Sequence, residues 1–165
     1  MKVYHGSTVE ILNPRVDFSK RNLDFGPGFY VTTKKSQAEN WASRKAIRTG
    51  TSAVVNAYEM DEDCTGFRKK EFLGNDEEWV EFVCACRRGS SVFKQYDIII
   101  GGVANDKVYR VVDMYYRGIW DMERTLKEMF FYKENDQICF LDQKLLDSHL
   151  AFLESYEVRE HENSN

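Results

Sequence analysis

The sequence predicts an α+β domain, and three observations point to it. Strand-like and helix-like segments both occur, but they do not alternate strictly, which argues against a doubly wound parallel sheet. A continuous apolar run, Ile98-Ile99-Ile100, ends at Gly101-Gly102 and has the pattern of a buried central strand. The 165 residues are 42% apolar and 14% aromatic, enough to build one core. No internal repeat, low-complexity tract or linker interrupts the chain. One domain is expected over residues 1–157, followed by a frayed polar tail over 158–165.

The elements follow from local signals. A first strand is expected at 2–5, ending in Gly6-Ser7, and an irregular polar stretch then runs to Pro27. Residues 28–32 read as a short aromatic strand. Residues 36–49 read as a helix, with Ala38, Trp41, Ala42 and Ala46 on one face and Gly50 as the stop. Residues 53–60, rich in Val and Tyr, read as a strand. Asp76 is placed to cap a helix running through Trp79, Phe82, Val83 and Cys86 to Gly89. A strand is expected at 96–100. Asn105 or Asp106 then caps a helix that turns Val108, Val111, Val112 and Tyr115 inward and ends by Gly118. Asp121 caps another, with Met122, Leu126, Met129 and Phe130 inward. The last strand is expected at 137–141. A final helix, capped by Asp142, is expected to run through Leu145, Leu146, Leu150 and Leu153.

Composition excludes several classes. No apolar run approaches the ~20 residues that cross a bilayer, so no membrane partner is expected. The N-terminus has no apolar stretch of signal-peptide length, and a cytoplasmic location is the expectation. The net charge of −4 hides an asymmetry. Residues 1–50 carry nine Lys/Arg against four Asp/Glu, and residues 51–165 carry fourteen against twenty-three. The acidic total disfavours bulk nucleic-acid binding, whereas the basic first third suits a small anionic ligand. The four cysteines lack the spacing of a zinc site, so no metal is expected, and Cys86 and Cys139 read as small core residues.

Three short segments stand out as a candidate site. Tyr4-His5-Gly6-Ser7 puts a histidine at a strand end, with a glycine behind it that allows close backbone approach. In Asp24-Phe25-Gly26-Pro27-Gly28-Phe29-Tyr30, two glycines bracket a proline and open an aromatic strand. Phe29 and Tyr30 must face opposite ways, so one fills the core while the other is available to a cleft. Trp41, on the next helix, is a second aromatic placed to sandwich a flat heterocycle. In the third segment, Asn135-Asp136-Gln137, a polar run enters an apolar strand. Helix-surface bases such as Lys34, Lys35, Arg44, Lys45 and Arg48 read as solvated charge.

His5-Gly6-Ser7, then Phe25-Gly26-Pro27-Gly28-Phe29-Tyr30, then a polar residue entering a late strand resemble, in order and spacing, the ADP-ribosyltransferase superfamily. The likeness is to its His-Tyr-Glu branch, which includes diphtheria toxin and the poly(ADP-ribose) polymerases. Nearly the whole chain also resembles a bacterial family of uncharacterised proteins within that superfamily. The resemblance implies split mixed or antiparallel sheets flanked by helices, with NAD as co-substrate. It implies that His5 bonds the adenosine ribose, with Ser7 supporting either that ribose or His5. It implies that Gly6 binds the nicotinamide carboxamide through its backbone. Tyr30, in the Gly28-x-Tyr30 motif, would stack on nicotinamide, and Trp41 would complete the stack.

The third motif departs from the branch. Gln137 stands where the branch has a catalytic glutamate, so the hydrogen bond can be kept but the negative charge is lost. A missing term of that kind costs about 10²–10³ in rate. Asp136 should point to the opposite face, and Glu134 lies close enough upstream to swing in. With His5, Tyr30 and Gln137 as the catalytic set, the expected function is mono-ADP-ribosyl transfer to a macromolecule, as a toxin, defence factor or regulator. A protein acceptor is favoured over a nucleic acid, and an antitoxin or other regulatory partner fits that role. The alternative is a catalytically weakened module that binds NAD or ADP-ribose. Lys20 and Arg21 are the candidates for meeting the NAD diphosphate.

Overall fold

The computed structural model describes residues 1–130, 132 and 135–159. Among these residues, seven strands and five α-helices follow in the order β1 (Lys2–Ser7), β2 (Phe29–Val31), α1 (Lys35–Thr49), β3 (Val54–Met60), β4 (Lys69–Glu71), α2 (Glu77–Arg87), β5 (Ile98–Gly102), α3 (Asp106–Tyr116), α4 (Met122–Met129), β6 (Asp136–Phe140), α5 (Gln143–His149) and β7 (Leu150–Glu157). The fold is α+β with two separate sheets. The first, in the order β1-β3-β7, is antiparallel. The second, in the order β2-β6-β5-β4, is mixed, because β4 runs parallel to β5. An antiparallel bridge between Tyr4 and Thr32 ties the sheets together. Among the described residues no helix is long and apolar enough to cross a membrane.

Period-2 alternation sorts the side chains into layers. On β1, Val3 and His5 face the second sheet, and Val3 packs there with Phe29, Val31, Ile138 and Phe140. Tyr4 and Gly6 face the other way, towards Ala38, Ala42 and Val55 under α1. On the far side of the second sheet, Cys139 and Ile99 pack against Trp79, Val83, Val108 and Val112 of α2 and α3. The result is helix, sheet, sheet, helices. Asp76, Asn105, Asp121 and Asp142 cap their helices as expected, each accepting from backbone N–H groups of the first turn. Cys84, Cys86 and Cys139 are buried free thiols, and burial pushes Cys84 up to about 11 and Cys86 up to about 12.

Several expectations are corrected. The final helix stops at His149, and the chain continues as β7, which pairs with β3 from Leu150↔Met60 to Val54↔Glu157. The leucines at 146, 150 and 153 imitate a helical stripe. The unpaired side of β3 offers a full ladder instead, and Leu153 is left exposed. β4 is too short and too charged to carry a strand pattern, as befits an edge. β5 begins two residues late, because Val92–Gln95 forms a 3-10 turn that Tyr96 ends, and both glycines after it pair with Gln137 and Asp136. Phe130 lies beyond α4 and is exposed, while Thr125 occupies the buried face. Val158, just past the end of β7, is still tied down, since its N–H donates to the Ala53 carbonyl at 2.8 Å. Residues 160–165 lie outside the described residues.

Candidate functional site

β1 sets the geometry. Met1 and Met60 exchange backbone hydrogen bonds, so the odd-numbered residues of β1 bond to β3 and the even-numbered ones turn their N–H and C=O outward. Tyr4 uses its pair on Thr32. Gly6 therefore presents its peptide groups on the open edge of the first sheet, where its carbonyl accepts from Lys45 Nζ at 2.6 Å. The missing Cβ has a different cause from the one the sequence suggests. A Cβ on Gly6 would lie 2.2 Å from the Ala38 carbonyl oxygen and 2.7 Å from Ala42 N, so glycine is what lets α1 close on the strand.

His5 points between the sheets. Its ring stacks on Phe29 at 4.5 Å and 19°. Nδ1 lies 2.6 Å from the Tyr30 carbonyl oxygen. A carbonyl only accepts, so Nδ1 carries the proton and the neutral ring offers Nε2 as an acceptor. Burial, with the Lys45 charge as a second cause, lowers the imidazole from its ordinary value to about 3. This bond joins the first two segments directly. Ser7 is buried, and its Oγ accepts from Val9 N at 3.4 Å rather than supporting His5.

The Gly-Pro-Gly segment is a tight turn under the second sheet. Gly26 takes φ 86°, and a Cβ there would strike the Phe93 ring at 2.5 Å. Gly28 passes over β6, where a Cβ would lie 2.6 Å from the Phe140 carbonyl oxygen. Tyr30 and Phe29 face opposite ways as expected. The half-buried Tyr30 sits opposite Cys139, and its hydroxyl donates to the Gly26 carbonyl and accepts from Phe25 N at 3.1 Å. Burial holds its phenol well above the ordinary value.

Gln37, Trp41 and Lys45 form a stripe at i, i+4 and i+8 along α1, beside the packed alanines. Gln37 Nε2 donates to the Asp136 carbonyl at 2.7 Å, and Lys45 reaches Gly6. The stripe thus bridges from the start of β6 to the open edge of β1, with the half-buried Trp41 between them. Gln37 Oε1 is buried and takes no donor among the described residues. Trp41 and Tyr30 are not in ring contact with one another, so the pair does not close by itself. Gln37 carries no local signal in the sequence, and Lys45 reads there as plain solvated charge. Only the approach of α1 to Gly6 singles them out.

Gln137 is 3% exposed, at the centre of a buried polar network. Its Nε2 donates to Asp24 Oδ2 at 3.0 Å and to the Gly102 carbonyl at 2.9 Å. Asp24, equally buried, also accepts from Ala104 N at 2.9 Å and from Arg87 Nε at 2.8 Å, with Arg87 Nη2 on the same oxygen. Both amide hydrogens are therefore used inward. Oε1 takes no donor among the described residues. Asp136 turns the other way, as expected, and its carboxylate holds the Thr32 hydroxyl and both the N–H and the hydroxyl of Thr33. Glu134 lies outside the described residues. Two cavities, of about 180 and 490 Å³, lie between α2 and α3 rather than beside His5.

No curated protein matches the sequence. A family model does match, over residues 1–152, which includes every segment of the candidate site. The chain belongs to the family described as a protein of unknown function, DUF3990.

Proposed function

We propose that this chain is an NAD-dependent mono-ADP-ribosyltransferase acting on a macromolecular acceptor. The observation that carries the reading is the bond from His5 Nδ1–H to the Tyr30 carbonyl. It joins the His-Gly-Ser and Gly-x-Tyr segments and fixes the imidazole as a neutral ring with Nε2 as acceptor, suited to a ribose hydroxyl. The open backbone of Gly6 suits a carboxamide. The half-buried faces of Tyr30 and Trp41 suit a planar ring. In the reaction the bond from ribose C1 to the nicotinamide nitrogen breaks, and its electron pair leaves with nicotinamide. An acceptor nucleophile then attacks C1 and releases a proton. Gln137 Oε1 would accept from a ribose hydroxyl with a dipole alone.

A second reading, an NAD or ADP-ribose binding module with little turnover, is favoured by one observation: Gln137 is an uncharged amide whose donors are anchored inward. One experiment separates the two. Purified protein is incubated with labelled NAD and cell lysate, and label transfer and nicotinamide release are followed for wild type and Tyr30→Ala. Transfer lost in the variant supports the enzyme. An NAD-induced thermal shift without transfer or release leaves the binding module. Absence of all three removes both readings.

A further inference from the structure

We propose that the groove between α2 and the end of α3 is a binding site for an aromatic carboxylate, separate from the site around His5 and independent of the function proposed above.

Of the two cavities between these helices, the larger has the size for a ligand. At about 490 Å³ it falls within the range of small-molecule pockets, roughly 300–1,000 Å³, and the one of about 180 Å³ does not. Its floor is one stripe along α2, at i, i+3, i+4 and i+7: Glu81, Cys84, Ala85 and Arg88. Its wall is Tyr115, Tyr116 and Trp120, from the end of α3 and the turn after it. Two small side chains below and three aromatic rings beside them make a slot for a flat apolar body.

The charges at its two ends give the slot a direction. Glu81 and Arg88 lie about 10 Å apart along the helix axis. Glu81 accepts the Tyr115 hydroxyl. The Arg88 guanidinium stacks on the Tyr116 ring, 4.2 Å from its centroid, and Nη2 donates to the Tyr116 carbonyl at 2.8 Å. These two contacts hold the guanidinium in place, and both partners are neutral. Nearby bases differ, because Arg87 pairs with Asp24 and Arg117 with Asp113. A guanidinium has five N–H donors, and the carbonyl of Tyr116 takes one of them. A stacked, pre-oriented guanidinium with donors to spare, at the end of an aromatic slot, selects a planar anion, and a carboxylate matches its fork. Glu81 repels a second anionic group at the other end, so the ligand carries its charge at the Arg88 end alone. The smaller cavity lacks this chemistry, since Arg87 spends Nε and Nη2 on Asp24.

The test is calorimetric titration of the full chain with indole-3-propionate and with tryptamine, which keeps the ring and reverses the charge. Both probes are run on wild type, Arg88→Gln, Ala85→Leu and Arg44→Gln. Arg44 pairs with Asp106 and does not line the cavity, so its variant controls for the loss of one positive charge. Wild type should bind the acid and leave tryptamine unbound at the same concentration. Arg88→Gln should lose about tenfold or more in affinity for the acid, and Arg44→Gln should match wild type. Ala85→Leu, which fills the floor, should also weaken binding. Arg88 is exposed, so Arg88→Gln should melt with wild type and keeps the test valid if Ala85→Leu does not fold. Acid bound equally by wild type and Arg88→Gln, tryptamine bound as well as the acid, or no acid bound by wild type at millimolar probe overturns the site.

Discussion

Replacing Gln137 by glutamate would restore the charge that the His-Tyr-Glu pattern calls for, and in this fold it should instead destabilise the protein. The substitution exchanges an NH₂ group for a carboxylate oxygen 3.0 Å from Asp24 Oδ2 and 2.9 Å from the Gly102 carbonyl oxygen. Two hydrogen bonds vanish, and an acceptor then faces two acceptors. Unit charges about 4 Å apart repel by about 4 kcal/mol at an effective dielectric of about 20. Breaking a buried charged network costs about 3–5 kcal/mol by experience with other proteins. A loss of about 3–5 kcal/mol at neutral pH corresponds to a fall in Tm of roughly 10 °C for a chain of this size. The protein escapes part of this by protonating the new carboxyl, whose pKa rises above its unfolded value of about 4.3. A group with a raised folded pKa contributes its stability below the unfolded value and loses it as pH climbs. The deficit of Gln137→Glu relative to wild type should therefore be small near pH 4.5 and grow towards pH 8. Urea unfolding of both proteins across that range measures it. Adding Asp24→Asn to Gln137→Glu returns one carboxylate to the network and should recover part of the loss. A Gln137→Glu variant as stable as wild type at pH 7.5, or a deficit that does not change with pH, would refute the reasoning.

Further predictions concern the other segments. Gly6→Ala forces a Cβ to within 2.2 Å of the Ala38 carbonyl oxygen, so α1 must move off β1. A loss of about 1–3 kcal/mol is expected in a thermal melt, with weakened ligand binding. Tyr30→Phe removes the hydroxyl that serves Phe25 N and the Gly26 carbonyl and should cost about 1–3 kcal/mol by denaturant titration, while leaving the ring face intact. His5, lowered to about 3, should show no imidazole titration by NMR between pH 5.5 and 7.5. Its folded pKa lies below the unfolded one, so its contribution is complete above about pH 6.5 and falls as pH drops, by up to about 1.4 kcal/mol per pH unit. In His5→Asn that slope should disappear; an unchanged slope would mean that another group causes it.

Much of the fold is legible in local chemistry. Helix caps at Asp76, Asn105, Asp121 and Asp142 are single-residue signals, because the first turn's N–H groups need an acceptor wherever the helix ends up. The split of Phe29 from Tyr30, and of Asp136 from Gln137, follows from strand alternation alone. The end of the chain was not legible, since Leu146, Leu150 and Leu153 fit a helix until the open edge of β3 is taken into account. β4 escaped for the same reason: three charged residues form a strand only because β5 lies beside them.

The site divides along the same line. The sequence alone determined which residue types stand at the strand ends: His5 and Gly6, Gly28 and Tyr30, and Gln137. Only the tertiary structure decided what those residues do to one another. Gly6 is small because α1 presses on it. Lys45 matters because that helix swings it onto the Gly6 carbonyl rather than into water. Gln137 is an amide rather than an acid because Asp24, over a hundred residues away in sequence, already supplies the carboxylate of the network. Periodicity and capping act over a few residues and can be read along the chain. Charge pairing and close packing act through space between residues that only the fold brings together.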